Sequence, residues 1–182
     1  MLEGESFLPV LLGQRQHHKD YAFALQTTRG ISNGSDHYGV RSIRSHRYKY
    51  LINLTPETRF QNNLTEDKGG WTAFWKTWID AAKTDPFAEE TVHRYQWRPE
   101  EELYDLENDP YEFNNLASKP EHAQTQSRLQ QELQSWREQT KDPMLNHQNV
   151  LRLKAEVDAC MVDGQPDKSK LTLTYPDYFF ED

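Results

Sequence analysis

Between Arg47 and Leu54 the side chains alternate, with Tyr48, Tyr50, Ile52 and Leu54 on one side and Lys49, Leu51 and Asn53 on the other. A period of two is the pattern of a β-strand, and the ring-bearing face is the one expected to be buried. Residues 38–45 precede it as a second extended stretch, so the two predict a hairpin turning near His46. Residues 21–27 are β-prone as well, with Tyr21, Phe23 and Leu25 on one face. Residues 101–106 predict another strand, closed by the turn sequence Glu107-Asn108-Asp109-Pro110.

Helices are expected between and after these strands. Ser6 to Gly13 reads as a short helical or extended apolar plug, followed by a polar linker over 14–20. Asn33-Gly34-Ser35-Asp36 marks a loop. Beyond a polar insertion, Trp71, Phe74, Trp75 and Trp78 fall at helical spacing, as rings packed into a core or as a stacking platform for sugars or bases. From about Pro120, Ala123, Leu129, Leu133 and Trp136 predict the longest helix, stopping before Asp142-Pro143. A further helical stretch spans about 150–157, after which pattern is lost. The organisation expected is a junction and linker over 1–20, an α+β domain over 21–142, and a partly helical or irregular extension over 143–182.

Composition narrows the function classes. Hydrophobic residues are 35 % of 182 and aromatics 12 %, enough large rings to build a core from few positions. No run approaches the ~18 apolar residues of a membrane-spanning helix, and the first residues show neither the basic nor the apolar region of a signal peptide. The net charge of −8 disfavours nucleic acid as a partner. It also hides a local reversal. Arg29, Arg41, Arg44, Arg47, Lys49 and Arg59 stand against Asp36 and Glu57, so residues 29–59 carry +4 and the remainder −12. A basic hairpin of this kind suits sulfate, phosphate or carboxylate bound by forked guanidinium donors, or forms the solvated face of a sheet.

Reactive machinery is not visible. Cys160 is the single cysteine, in Ala159-Cys160-Met161-Val162-Asp163 with no histidine nearby, and the seven histidines show no metal-ligand spacing. Asp36-His37 reads as an acid–base or ligand pair, or as a structural turn. No glycine-rich phosphate cradle is present.

Three blocks resemble the C-terminal region of the sulfatase family. Residues 4–13, Gly-Glu-Ser-Phe-Leu-Pro-Val-Leu-Leu-Gly, are similar to the junction that leads out of its catalytic domain. Arg41-Ser42-Ile43-Arg44-Ser45-His46-Arg47-Tyr48-Lys49-Tyr50 resembles its hairpin. Glu102-Leu103-Tyr104-Asp105-Leu106-Glu107-Asn108-Asp109-Pro110-Tyr111-Glu112, with Asn115-Leu116-Ala117, matches its E-L-Y-D-L-x-x-D-P-x-E-x-x-N-L-A block. The Trp-rich insertion and the Trp136 helix ending in Lys141-Asp142-Pro143 favour the N-sulfoglucosamine sulfohydrolase (heparan N-sulfatase) branch.

The resemblance implies a fold, a small antiparallel sheet of about four strands crossed by a long C-terminal helix. It also implies a chemistry in which a formylglycine, made from the cysteine of a C-x-[PA]-x-R motif, attacks sulfate beside Ca²⁺. Cys160-Met161-Val162-Asp163-Gly164 lacks the Pro/Ala and the Arg. Ser35-Asp36-His37-Tyr38 shows Tyr where the S-D-H-G metal segment has Gly. Formylglycine, Ca²⁺ and the N-terminal catalytic domain are therefore expected outside these residues, and no cofactor or metal is expected within them.

What the resemblance carries over is the strand-end segment Gln26-Thr27-Thr28-Arg29-Gly30-Ile31, which in that branch leans over the active-site mouth. Arg29 is then expected to pair with a uronate carboxylate or sulfate oxygen. Thr27, Thr28 and His37 are expected to hydrogen-bond to sugar hydroxyls. Arg41 belongs to the same substrate-binding set, or pairs with a carboxylate beneath the sheet. The function implied is the substrate-shaping lobe of a sulfuric ester or sulfamate hydrolase acting on sulfated glycans, inactive alone. A stand-alone anionic-glycan module and the lobe of a related phosphoester hydrolase are the alternatives. The partners expected are the sulfated glycan, the catalytic domain and a second copy of the chain. The family's settings are periplasmic, extracellular or lysosomal.

Overall fold

The computed structural model describes residues 4–27, 38–62, 65, 73–162, 165–167, 169, 174 and 177. It contains the short helix α1 (Leu8–Leu11), strands β1 (Ala22–Gln26), β2 (Val40–Arg44) and β3 (Tyr48–Asn53), helices α2 (Ala73–Ala81) and α3 (Pro86–Gln96), strand β4 (Glu101–Asp105), and helices α4 (Ala123–Gln139) and α5 (His147–Asp158). A two-residue ladder, β5 (Met161–Val162) with β6 (Gln165–Pro166), follows.

The four longer strands form one antiparallel sheet in the order β1-β2-β3-β4. Ile43 lies opposite Phe23 and Tyr50, and Tyr50 opposite Leu103, so one apolar row crosses all four strands on a single face. Helix α4 covers that row. Leu129 and Leu133, one turn apart, are buried against Ile43, Tyr50 and Leu103, while Trp136 stacks on Phe23 with ring centroids at 4.9 Å. The expected α+β fold, a small antiparallel sheet crossed by the late helix, is the fold observed.

The second face is not simply solvated. Leu51 and Tyr104 point away from α4 and are buried too. A chain of ring contacts runs from Tyr38 through Phe60 and Tyr95 to Trp75 on α2. Of the helically spaced rings in this region, Trp75 is buried, whereas Phe74 and Trp78 are exposed.

Helix α3 has no counterpart in the sequence expectation. Its start is set by Asp85, whose carboxylate accepts from the Phe87 and Ala88 amides, with Pro86 in the first turn. Helix α5 packs through Val150, Leu153 and Val157 against Met144, in the turn that precedes it, and Leu54.

Candidate functional site

Below the apolar row, the face that α4 shares with the sheet turns ionic. On α4 the spacing that places Leu129 and Leu133 on the sheet places Arg137 there as well. On the sheet, Arg41 lies on the same face as Ile43. Past the helix, Lys141 adopts a left-handed φ of 53°, and the Asp142 amide donates to Arg137 O at 2.8 Å. This turn brings the Asp142 carboxylate between the two guanidiniums.

Asp142 accepts from Arg41 Nε and Nη2, both at 2.7 Å, from Arg137 Nε at 2.8 Å and from the Met144 amide at 3.1 Å. Its two oxygens are thereby saturated. The remaining Arg41 N–H groups reach Gln26 O at 2.8 Å, Val40 O at 3.1 Å and Thr27 Oγ1 at 3.2 Å. All five N–H donors of Arg41 are used, and its side chain is 1 % exposed. Burial by itself raises the Asp142 pKa, but the hydrogen bonds and charges of Arg41 and Arg137 outweigh it and hold the carboxyl below its ordinary value.

The cluster is a clamp, not a reactive centre. The donors of Arg41 and the lone pairs of the Asp142 carboxylate are all taken up within it, so it fixes geometry. It ties α4, the turn before α5 and β2 to the last residue of β1 and to Thr27, where the segment expected to face substrate begins.

Of that set, the structure describes Thr27 and Arg41. Thr28, Arg29 and His37 lie outside the described residues. Thr27 is half-buried and held by Arg41. Arg41 takes the carboxylate alternative. A fully committed, buried guanidinium has no donor left over for a ligand, and its contacts are those of a positioning residue. The sequence reading missed Asp142, which is 101 residues from Arg41, and Arg137. The Asp-Pro pair after α4 marked a helix stop and gave no sign of the ion pair.

Other basic residues of the hairpin are likewise paired. Arg47 grips Asp105 through Nε at 3.0 Å and Nη2 at 2.6 Å, and Lys49 reaches both Glu112 oxygens at 2.9 and 2.8 Å. Asp105 also accepts from Asn108 at 2.8 Å. Asn115 accepts from the Leu103 and Ala117 amides, both at 2.9 Å, and donates to Glu101 O. The Asp, Glu and Asn positions of the 102–117 block therefore hold the turn after β4 onto the hairpin.

A cavity of about 580 Å³ lies between β3, α4 and α5, with Glu57, Glu100 and Glu101 among its lining residues. Acidic groups of that number suit a sulfated ligand poorly. Cys160 is buried beyond α5, and its thiol donates to Glu156 O at 3.0 Å. With neither Pro/Ala nor Arg in the required positions, it does not fit a formylglycine precursor. Among the described residues no group of three His, Cys, Asp or Glu side chains converges as a metal site.

No protein-family model matches the chain. It is 35 % identical over 135 residues to an ulvan-active sulfatase of Formosa agariphila, a match covering 74 % of this chain and 24 % of the relative. It is 25 % identical over 154 residues to human N-sulphoglucosamine sulphohydrolase, covering 78 % of this chain and 25 % of that protein. A solved 2-O GAG sulfatase aligns with 96 % of this chain and 25 % of its own, at 20 % identity and a TM-score of 0.46. The chain thus spans about a quarter of the length of these relatives.

Proposed function

Because this chain belongs to the sulfatase family, over a stretch equal to about a quarter of its relatives' length, we propose that it forms the C-terminal, substrate-shaping lobe of a sulfatase acting on a sulfated glycan. The reactive centre in this reading, with its formylglycine and Ca²⁺, lies outside the chain. The observation that carries the proposal is the buried Arg41–Asp142–Arg137 clamp, which anchors Thr27 at the root of the segment running through Thr28, Arg29 and His37.

The clamp also orients Thr27. Its hydroxyl oxygen accepts from Arg41, which leaves the hydroxyl hydrogen free to donate to a sugar or sulfate oxygen. Arg29 supplies a fork for an anionic substituent, and Thr28 and His37 supply hydrogen bonds to hydroxyls. Two relatives carry names that denote carbohydrate, ulvan and N-sulphoglucosamine, which favours a glycan over another anionic ester.

Ion chromatography of sulfate released from a heparin-derived oligosaccharide tests the division of labour. The purified chain, with Ca²⁺ added, is expected to release none. Turnover above the chain-free control would place a reactive centre within these residues and overturn the proposal.

A further inference from the structure

Three large rings stand together on the surface, outside both buried apolar clusters of the described residues. The Phe87–Phe113 and Tyr111–Phe113 centroid distances are both 6.3 Å, and the ring planes are inclined by 33° and 58°. Tyr111 is 80 % exposed, Phe87 67 % and Phe113 42 %. Exposing contiguous rings to water is unfavourable, and such patches mark contact surfaces.

The rings are also held in place. Phe87 sits in the capped first turn of α3. Tyr111 and Phe113 flank Glu112, which takes a left-handed φ of 58° while Lys49 grips its carboxylate at 2.9 and 2.8 Å. The Arg94 guanidinium lies 4.9 Å over the Phe113 ring and donates to the Phe113 carbonyl. Asp109 fixes the same turn by accepting from the Asn114 amide at 2.7 Å. Little ordering remains to be done when a ligand arrives.

We propose that Phe87, Tyr111 and Phe113 form a stacking platform for the sugar rings of a polysaccharide, using none of the residues assigned to substrate above. The platform rests on the glycan reading given above. Size argues for this occupant: at ~200 Å² per ring the three offer about 400 Å² of exposed aromatic surface, roughly half of the ~800 Å² per partner that a stable protein interface buries. A pyranose has C–H faces that pack on aromatic rings, while its hydroxyl rim stays in water. The rim around these rings is polar, with the Tyr111 hydroxyl, Asn114 and Arg94. Glu112 is neutralised by Lys49, so the rim does not repel an anionic chain through that carboxylate.

Affinity electrophoresis of the full chain through gels containing ulvan, or chemically desulfated ulvan, tests this. Stacking is insensitive to salt, whereas pairing through Arg29 is screened by it. Replacing both Tyr111→Ala and Phe87→Ala is expected to weaken retardation about tenfold in both gels and at low and high salt. Arg29→Ala is expected to act only at low salt, and more strongly in the sulfated gel than in the desulfated one. Tyr111 and Phe87 are exposed, and an unchanged far-ultraviolet circular dichroism spectrum verifies the fold. Retardation that survives the ring substitutions but is lost in Arg29→Ala overturns the platform and leaves the lobe reading standing. An unaltered chain that migrates freely in both gels overturns the two together. Ring-dependent retardation in the desulfated gel supports the platform whatever Arg29→Ala does.

Discussion

Asp142 and Asp105 are both gripped in bidentate fashion by an arginine, yet their surroundings make them unequal. The Arg41 and Asp142 side chains are 1 % and 4 % exposed, whereas Arg47 is 48 % exposed above Asp105. Asp142→Ala strands two buried guanidiniums and is expected to cost about 3–5 kcal/mol. Arg47→Ala removes a half-exposed partner whose charge water already screens, and is expected to cost much less. Urea denaturation of both variants reads the contrast, and equal losses would contradict it. The pH dependence has a definite sign. Arg47 holds the Asp105 carboxyl well below the usual carboxylate range, and Asp142 is lowered as well. Their contribution is therefore fully present above the unfolded aspartate value of ~3.9. It is lost as pH falls through the lower folded values. Urea midpoints measured from pH 7 down to pH 3 should fall more steeply in the acid limb for the unaltered chain than for Asp142→Asn. Parallel curves would mean that the Asp142 carboxylate is not held ionised.

At the scale of elements, α3 stands on a local signal, so its cap can be tested alone. Asp85→Ala removes the acceptor for the Phe87 and Ala88 amides and is expected to cost about 1 kcal/mol. A thermal melt followed by circular dichroism reads it, and an unchanged midpoint would show that packing alone sets the start of α3. The same residue shows what was legible. Asp85-Pro86 is a readable helix start, a capping carboxylate followed by a proline in the first turn. The alternation through Tyr48, Tyr50 and Ile52 revealed β3, and the spacing of Leu129, Leu133 and Trp136 revealed α4, because each pattern follows from one element's own period. Asp142 was illegible because its meaning depends on Arg41, which only the fold brings near. The basic excess over 29–59 was legible as charge. Its disposition was not, since the Asp105, Glu112 and Asp142 partners lie outside that window.

For the whole molecule, the sheet and α4 form a frame whose ionic edge anchors the root of the segment from Thr27 onward. The lobe reading assigns Arg29, two residues beyond Thr27 in the sequence, the anionic part of the glycan. Calorimetric titration of the chain and of Arg29→Ala with a heparin-derived oligosaccharide addresses that assignment directly. The expected result is heat of binding for the unaltered chain that weakens with added salt and falls at least tenfold in affinity on Arg29→Ala. Equal affinity of the two proteins, or binding that salt does not weaken, would contradict it.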